Sequence, residues 1–489
     1  MTQNTKVYIF SFLISISLFM FSCTDPIESI NEEESSSSYN YLPLYTYPYG
    51  DEANNITAEI IIETDGSVDL NKIEANIPNL KYNKTRLFML TQDDCLQSAF
   101  SSTWAAINGK PLTNEYFYDI RHVFENDLPP DNYYLGKTLG IEDGTGKEVR
   151  FHFTTTVYPE ANLTEGYSGM YNAPSIINRG YNENYYRFFM KSFLIWDNVI
   201  EMLNYGNSIA FHDVRLSGDD VNNTDLIYNH FIICQDSIRK NLSQRICKVL
   251  AEPNGNINYY YSALNYDLIK IMTGQGNAPY ILYPFTLDDD LEKEFLKRDF
   301  IDPIPLKDYV ITKFNKPIDQ RECVHIGVHS TGKTWVEFLL WLNDTYGKNG
   351  DNSVWMPSLE EYYEYNYYRI HSSITKTIID NNTVKFTVQL SSQEHFYYPS
   401  ITLNLEGISV QKIQNLSSND AIKGMSYANY NQGIMVNIDC RKFLLEHATH
   451  YVKQYETKNN TSNKADALYF TNKLKDSPEK TALINRINL

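Results

Sequence analysis

Between residues 86 and 369, short apolar runs alternate with amphipathic stretches of helical length, and this alternation leaves few folds open to the chain. Strands are expected at 86–91, 149–157, 206–213, 246–250, 278–283 and 323–329. Helices are expected at 184–205, 225–241, 335–346 and 359–369. The last of these opens on Ser358-Leu359-Glu360-Glu361, a capping-box pattern. Strands separated by helices need crossover connections, so the predicted class is α/β with parallel strands, open or closed as a barrel. Asp143-Gly144-Thr145-Gly146-Lys147 lacks Walker spacing and precedes a strand, so it reads as a hairpin turn rather than a phosphate loop.

After Ile370 the hydrophobic period falls to two. Val384, Phe386, Val388 and Leu390 alternate, as do Ile401, Leu403 and Leu405, Ile408 and Val410, and Ile434, Val436 and Ile438. That pattern predicts a half-buried antiparallel sheet, most simply a β-sandwich over 370–440, with closing helices over 441–489. A β-rich run at 56–64 followed by Asp65-Gly66 predicts a short N-terminal β element over 41–85, and 86–369 forms the main α/β domain.

The first residues suggest export. Lys6 precedes an apolar run over 7–21 that ends in Phe21-Ser22-Cys23, the layout of a secretory signal. Placed after a small residue, Cys23 resembles the lipidated cysteine of the bacterial lipobox. That resemblance implies a signal peptide over 1–23 and a lipid anchor to the membrane, in the cell envelope and on the outer membrane of a Gram-negative bacterium. A plain signal peptide or a short anchor helix are the alternatives. Residues 24–40, with Glu32-Glu33-Glu34 and a run of serines, read as a flexible acidic tether.

A net charge of −18 argues against a nucleic-acid partner, which needs a basic face. The 39 tyrosines fit either a surface that receives sugar rings or a simple compositional bias. Cys95, Cys234, Cys247, Cys323 and Cys440 show neither a disulfide framework nor a zinc pattern and read as buried single thiols.

The run at 86–91 leads into Gln92-Asp93-Asp94-Cys95 and then a helix start. Two adjacent carboxylates at a strand end repel unless a metal or a shared proton relieves them. Their side chains point to opposite faces, so one is free to hold a metal while the other takes a proton. The plainer alternative is a helix cap, since Asp is an ordinary N-cap residue.

Thr91-Gln92-Asp93-Asp94-Cys95 resembles the Thr-Phe-Asp-Asp-Gly first motif of polysaccharide deacetylases, the NodB-homology fold of carbohydrate esterase family 4. The resemblance implies a (β/α) barrel over roughly 86–369 and hydrolysis of acetyl groups on a glycan with a divalent metal, most often zinc. By the same resemblance Asp93 would be the base, Asp94 and His212 metal ligands, and His329 the acid that protonates the leaving amine. Glu252-Pro253-Asn254-Gly255 lies where the third motif belongs, which makes Pro253 and Asn254 substrate-binding candidates. Trp355-Met356-Pro357 also looks like the end of such domains in secreted lipoproteins.

Three departures stand out. Leu216 occupies the position of the second histidine ligand, the third motif lacks its arginine, and Cys95 replaces a glycine. Leu binds no metal, so Asp213, Asp219 or Asp220 would have to supply an oxygen. The alternative is a catalytically degenerate relative that binds glycan without hydrolysis, and a third reading is a purely structural surface protein. The other histidines carry less. His325 and His329 are spaced His-x-x-x-His, but on a strand that spacing covers roughly 13 Å, too far for one metal. His447 and His450 read as solvated helix residues, and His152 as facing the barrel interior.

Overall fold

The structure is a computed structural model that describes residues 43–159, 183–189, 193–212 and 221–489. Seven parallel strands form its centre: β1 (Arg86–Gln92), β2 (Thr154–Val157), β3 (Ser208–Phe211), β4 (Val249–Ala251), β5 (Ile271–Gly274), β6 (Phe295–Lys297) and β7 (Val324–Val328). Neighbours run β6-β5-β4-β3-β2-β1-β7. The ends of this row meet just past β6, where Asp299 bridges Ile326 in parallel. Asp299 N donates to His325 O at 3.0 Å and Gly327 N donates to Asp299 O at 2.9 Å. The result is a nearly closed barrel, the closed form of the parallel α/β class that the alternation predicts. Both faces of the sheet are covered, so the unbroken apolar run Leu87, Phe88, Met89 and Leu90 of β1 is buried throughout.

Several elements differ from the sequence reading. The expected strand at 149–157 divides. Glu148–Arg150 pairs antiparallel with Gly140–Glu142 around the predicted hairpin turn, and only Thr154–Val157 enters the barrel. The run 278–283 makes a single bridge, Tyr280 to Leu296, because Pro279 and Pro284 cannot donate to a ladder. β5 and β6 take its place, and both are too short for periodicity to mark. The helix expected over 184–205 is two, Asn184–Phe189 and Trp196–Asn204.

Below the barrel, the helix Leu359–His371 seals the N-terminal ends of the strands with three buried glutamates. Glu360 pairs with Arg245 and with Lys248, the latter at 3.1 Å. Glu361 meets His152 Nδ1 at 2.7 Å and Lys81 at 3.3 Å. Glu364 pairs with Lys248 and accepts from Tyr397 N at 2.8 Å and Tyr398 N at 2.7 Å. His152 is therefore a buried hydrogen-bond partner of Glu361 at the base of the barrel, its pKa lowered by burial. Ser358 caps the helix through Glu361 N, while the Glu361 carboxylate is drawn to His152 and Lys81.

Two antiparallel sheets complete the chain. One runs Ser373–Ile378, Thr383–Leu390, Ile56–Thr64, Ile413–Ser418, and the other Gly424–Tyr430, Gly433–Asp439, Ser400–Glu406, Glu74–Asn76. The N-terminal β segment is thus built into the sheets of the C-terminal part. Helices Leu444–Thr457, Thr461–Asn472 and Pro478–Asn488 follow. His447 is not solvated: it is buried against Tyr45, Tyr451 and Phe470, because its helix turns that face inward. The five cysteines of the described residues are buried, as expected. Among those residues no helix is long and apolar enough to cross a membrane.

Candidate active site at the barrel mouth

Parallel α/β folds place their sites beyond the carboxyl ends of the strands. β1 ends at Gln92, and Asp93 N extends its ladder by donating to Val328 O at 2.7 Å. Asp94 and Cys95 then take left-handed backbone angles, φ 63° and 52°, an uncommon conformation for residues with a Cβ. The turn separates the two carboxylates. Asp93 is buried, whereas the Asp94 side chain is 40% exposed.

Arg298, one residue past β6, donates from Nη1 to Asp93 Oδ1 at 2.6 Å and from Nη2 to Glu252 O at 3.1 Å. Its guanidinium compensates a buried carboxylate that would otherwise be costly. Asp93 Oδ2 has no hydrogen-bond partner among the described residues.

His212 follows β3 directly and is buried. Its Nδ1 lies 2.7 Å from Ala251 O, which fixes the proton on that nitrogen when the ring is neutral and leaves the Nε2 lone pair facing Asp94 Oδ1 at 3.4 Å. Tyr158 Oη donates to the same oxygen at 3.4 Å. Burial alone would lower the pKa of His212, but the Asp93 charge and the contact with Asp94 outweigh it and raise the pKa above the ordinary imidazole value. The His212 contact holds the Asp94 carboxyl below its usual range, with His329 and Tyr158 adding to the effect.

His329 comes next after β7, whose register pairs Val328 with Gln92 and so sets His329 beside Asp93. Its carbonyl accepts from Gln92 Nε2 at 3.2 Å, and its exposed ring lies over Phe300 with centroids 5.2 Å apart. The Gln92 amide also reaches Ser98 Oγ at 2.9 Å and Thr331 Oγ1 at 3.3 Å, tying β1 to the turn after β7. His325 points inward to Thr91 Oγ1 at 2.9 Å, and burial pushes it down to about 3. The His-x-x-x-His pair is therefore divided between core and mouth.

Asp93, Asp94, His212 and His329 thus stand at one mouth. Pro253 is buried and Asn254 exposed just past β4, on the same rim, with no hydrogen bond to those four among the described residues. Leu216, Asp213, Asp219 and Asp220 lie outside the described residues, as do Cys23, the signal segment and the tether. Among the described residues, no group of three His, Cys, Asp or Glu side chains is placed to hold a metal. Asp94 and His212 suit two ligands of one. Ligand atoms on a tetrahedral zinc, each about 2.0–2.2 Å from the ion, stand about 3.4 Å apart, the separation seen here.

Sequence reasoning missed Arg298 and, though it singled out the Glu252-Pro253-Asn254-Gly255 stretch, gave Glu252 no role. Glu252 is buried beside this cluster, accepts from Asn277 Nδ2 at 2.8 Å, and is raised by burial. Arg298 sits in Lys297-Arg298-Asp299, a charged run directly after the short apolar Phe295-Leu296, which carries no local sign of its burial.

Fold and mouth define an α/β-barrel protein with a carboxylate–imidazole site at its strand ends. The chain belongs to the family described as "Putative polysaccharide deacetylase", whose profile matches residues 58–488. The matched stretch takes in the barrel, nearly all of both sheets and the closing helices, well beyond 86–369. No curated protein matches the chain.

Proposed function

We propose that this protein removes acetyl groups from a polysaccharide at the barrel mouth, held at the cell envelope by a lipid on Cys23. The observation that carries the reading is the approach of Asp94 Oδ1 and His212 Nε2 to 3.4 Å beside the buried Asp93. Asp94 and His212 would hold a divalent cation, zinc by preference for such ligands. The cation would polarise the acetyl carbonyl and make a water acidic enough to attack it. Asp93 takes the proton of that water on Oδ2 while Arg298 occupies Oδ1. His329, exposed on the rim, donates a proton to the leaving group. Gln92 holds the His329 backbone, and the Ala251 carbonyl holds the His212 ring, so neither needs to reorganise. Zinc titration by calorimetry tests the assignment. One zinc per chain is expected, lost in H212A and in D94N; a zinc-binding wild type unchanged by both substitutions would refute it.

Leu216 favours a second reading, a degenerate member that grips glycan without cleaving it. Glycan binding without zinc uptake or acetate release would select that reading.

A further inference from the structure

Residues 79–85 lead into β1, at the end of the barrel opposite the mouth. Between them and the sheet that contains Ser400–Glu406 and Gly424–Tyr430 lies a cleft of about 290 Å³. None of Asp93, Asp94, His212 or His329 lines it. Its volume is at the lower edge of the roughly 300–1,000 Å³ of small-molecule sites, a size for one short piece of a larger ligand. Several side chains of its lining are not consumed by the fold. Tyr430 is half-buried, yet its ring is not packed against the hydrophobic core, and its hydroxyl makes no hydrogen bond among the described residues. It ends its strand opposite Gly433, which has no side chain to cover the ring. On the barrel wall Ile318 is 48% exposed. Asn76, Asn431 and Glu406 are exposed, and their side chains have no hydrogen-bond or ion-pair partner among the described residues. Asn79 donates from Nδ2 to Pro284 O at 3.0 Å, which leaves its side-chain oxygen to accept.

The charges of the lining exclude an anionic ligand. Lys84 is buried, and its Nζ donates to Asn352 O at 2.7 Å, whereas the carboxylate of Glu406 is exposed. A phosphate or a uronate would therefore meet a negative charge and no free cation. Amides both donate and accept, and a carboxylate accepts, which is the pattern that neighbouring hydroxyls complement. The Tyr430 ring adds an apolar face with a polar tip. Together these groups match the two-sided chemistry of a sugar ring, apolar on its C–H face and polar at its edge.

We infer that this cleft is an accessory site for a neutral sugar unit of a polysaccharide, stacked on Tyr430 with its hydroxyls on Asn76, Asn431 and Glu406. The inference goes beyond the deacetylase reading and holds whether or not the mouth hydrolyses anything. Calorimetric titration of the full chain with N-acetylchitotetraose, xylotetraose and tetragalacturonate tests it. Saturable binding of at least one neutral tetramer is expected, kept in the D94N/H212A double variant and weakened about tenfold or more in Y430A and in E406A. Tetragalacturonate is expected not to bind. E406A, a change at an exposed strand end, keeps the test open should Y430A fail to fold. Three results would overturn the inference: binding of neither neutral tetramer; binding unchanged in both Y430A and E406A; or tetragalacturonate bound as tightly as a neutral tetramer. Because the readout is binding in a variant disabled at the mouth, failure here and failure of the deacetylase reading are distinguishable.

Discussion

Arg298 carries the largest single electrostatic burden at the mouth, since it is fully buried and its partner Asp93 is as well. Removing one member of such a pair leaves an uncompensated charge in the interior. R298M is expected to lower stability by about 3 kcal/mol and to reduce acetate release. D93N/R298M is expected to recover stability but not activity. Chemical denaturation checks both, and a double variant no more stable than R298M would contradict the pairing.

His212 gives a pH signature. Its pKa in the fold is raised, so its contribution to stability is complete below about 6.5 and is lost as pH rises through the higher folded value. Asp94 runs the other way: its pKa is lowered, so its contribution is present above about 3.9 and is lost as pH falls through the folded value. An NMR titration of metal-free protein should place the His212 midpoint above about 6.5, and D94N should shift it down. A wild-type midpoint at or below the ordinary value would count against the pair. At this scale the sequence showed the acids and histidines because each directly follows or ends an apolar run. It hid Arg298, because one charged residue in a charged run gives no sign of being buried until β6 and β1 are brought together.

Among the elements, the helix Leu359–His371 shows why composition misleads. Its tyrosines, read beside the others as a possible sugar surface, are largely core: Tyr362, Tyr363, Tyr365 and Tyr368 are all buried. Its glutamates clamp the lower ends of the strands. Burial works against ionisation of Glu361, but His152 and Lys81 outweigh it and hold the carboxyl at about 2. Its contribution to stability is therefore present above about 4.5 and is lost as pH falls from there toward about 2. E361Q should cost about 3 kcal/mol near neutrality, with the gap from wild type shrinking at acid pH. Thermal melts between those limits check this, and a gap independent of pH would argue against the ion pair. The capping motif of this helix and the helices at 335–346 and 359–369 were legible because caps and a 3.6-residue period are local signals. β5 and β6 were not, since strands this short are defined by their neighbours.

Across the whole molecule, the N-terminal strand Ile56–Thr64 binds the chain's ends together. It lies between Thr383–Leu390 and Ile413–Ser418, paired with strands more than three hundred residues away. Its alternate residues Ala58, Ile60 and Ile62 are buried. I60A should cost about 3 kcal/mol, as deletion of a buried aliphatic side chain does. Removing 43–66 should leave two open edges and an insoluble product. Full solubility and an unchanged melting temperature in the truncated chain would contradict this. The parallel α/β class was legible because strand–helix alternation constrains connectivity, but alternation alone admits an open sheet as well as a barrel, and nothing local reveals which sheet an early strand will join. The central claim, a metal-assisted deacetylase mouth, is tested most directly by acetate release from acetylated chitin and xylan fragments. Zinc-loaded wild type should release acetate and D94N should lose at least about a hundredfold in rate, in keeping with loss of a metal ligand or its support. Equal rates in the two proteins, or no acetate from either with zinc bound, would contradict the account.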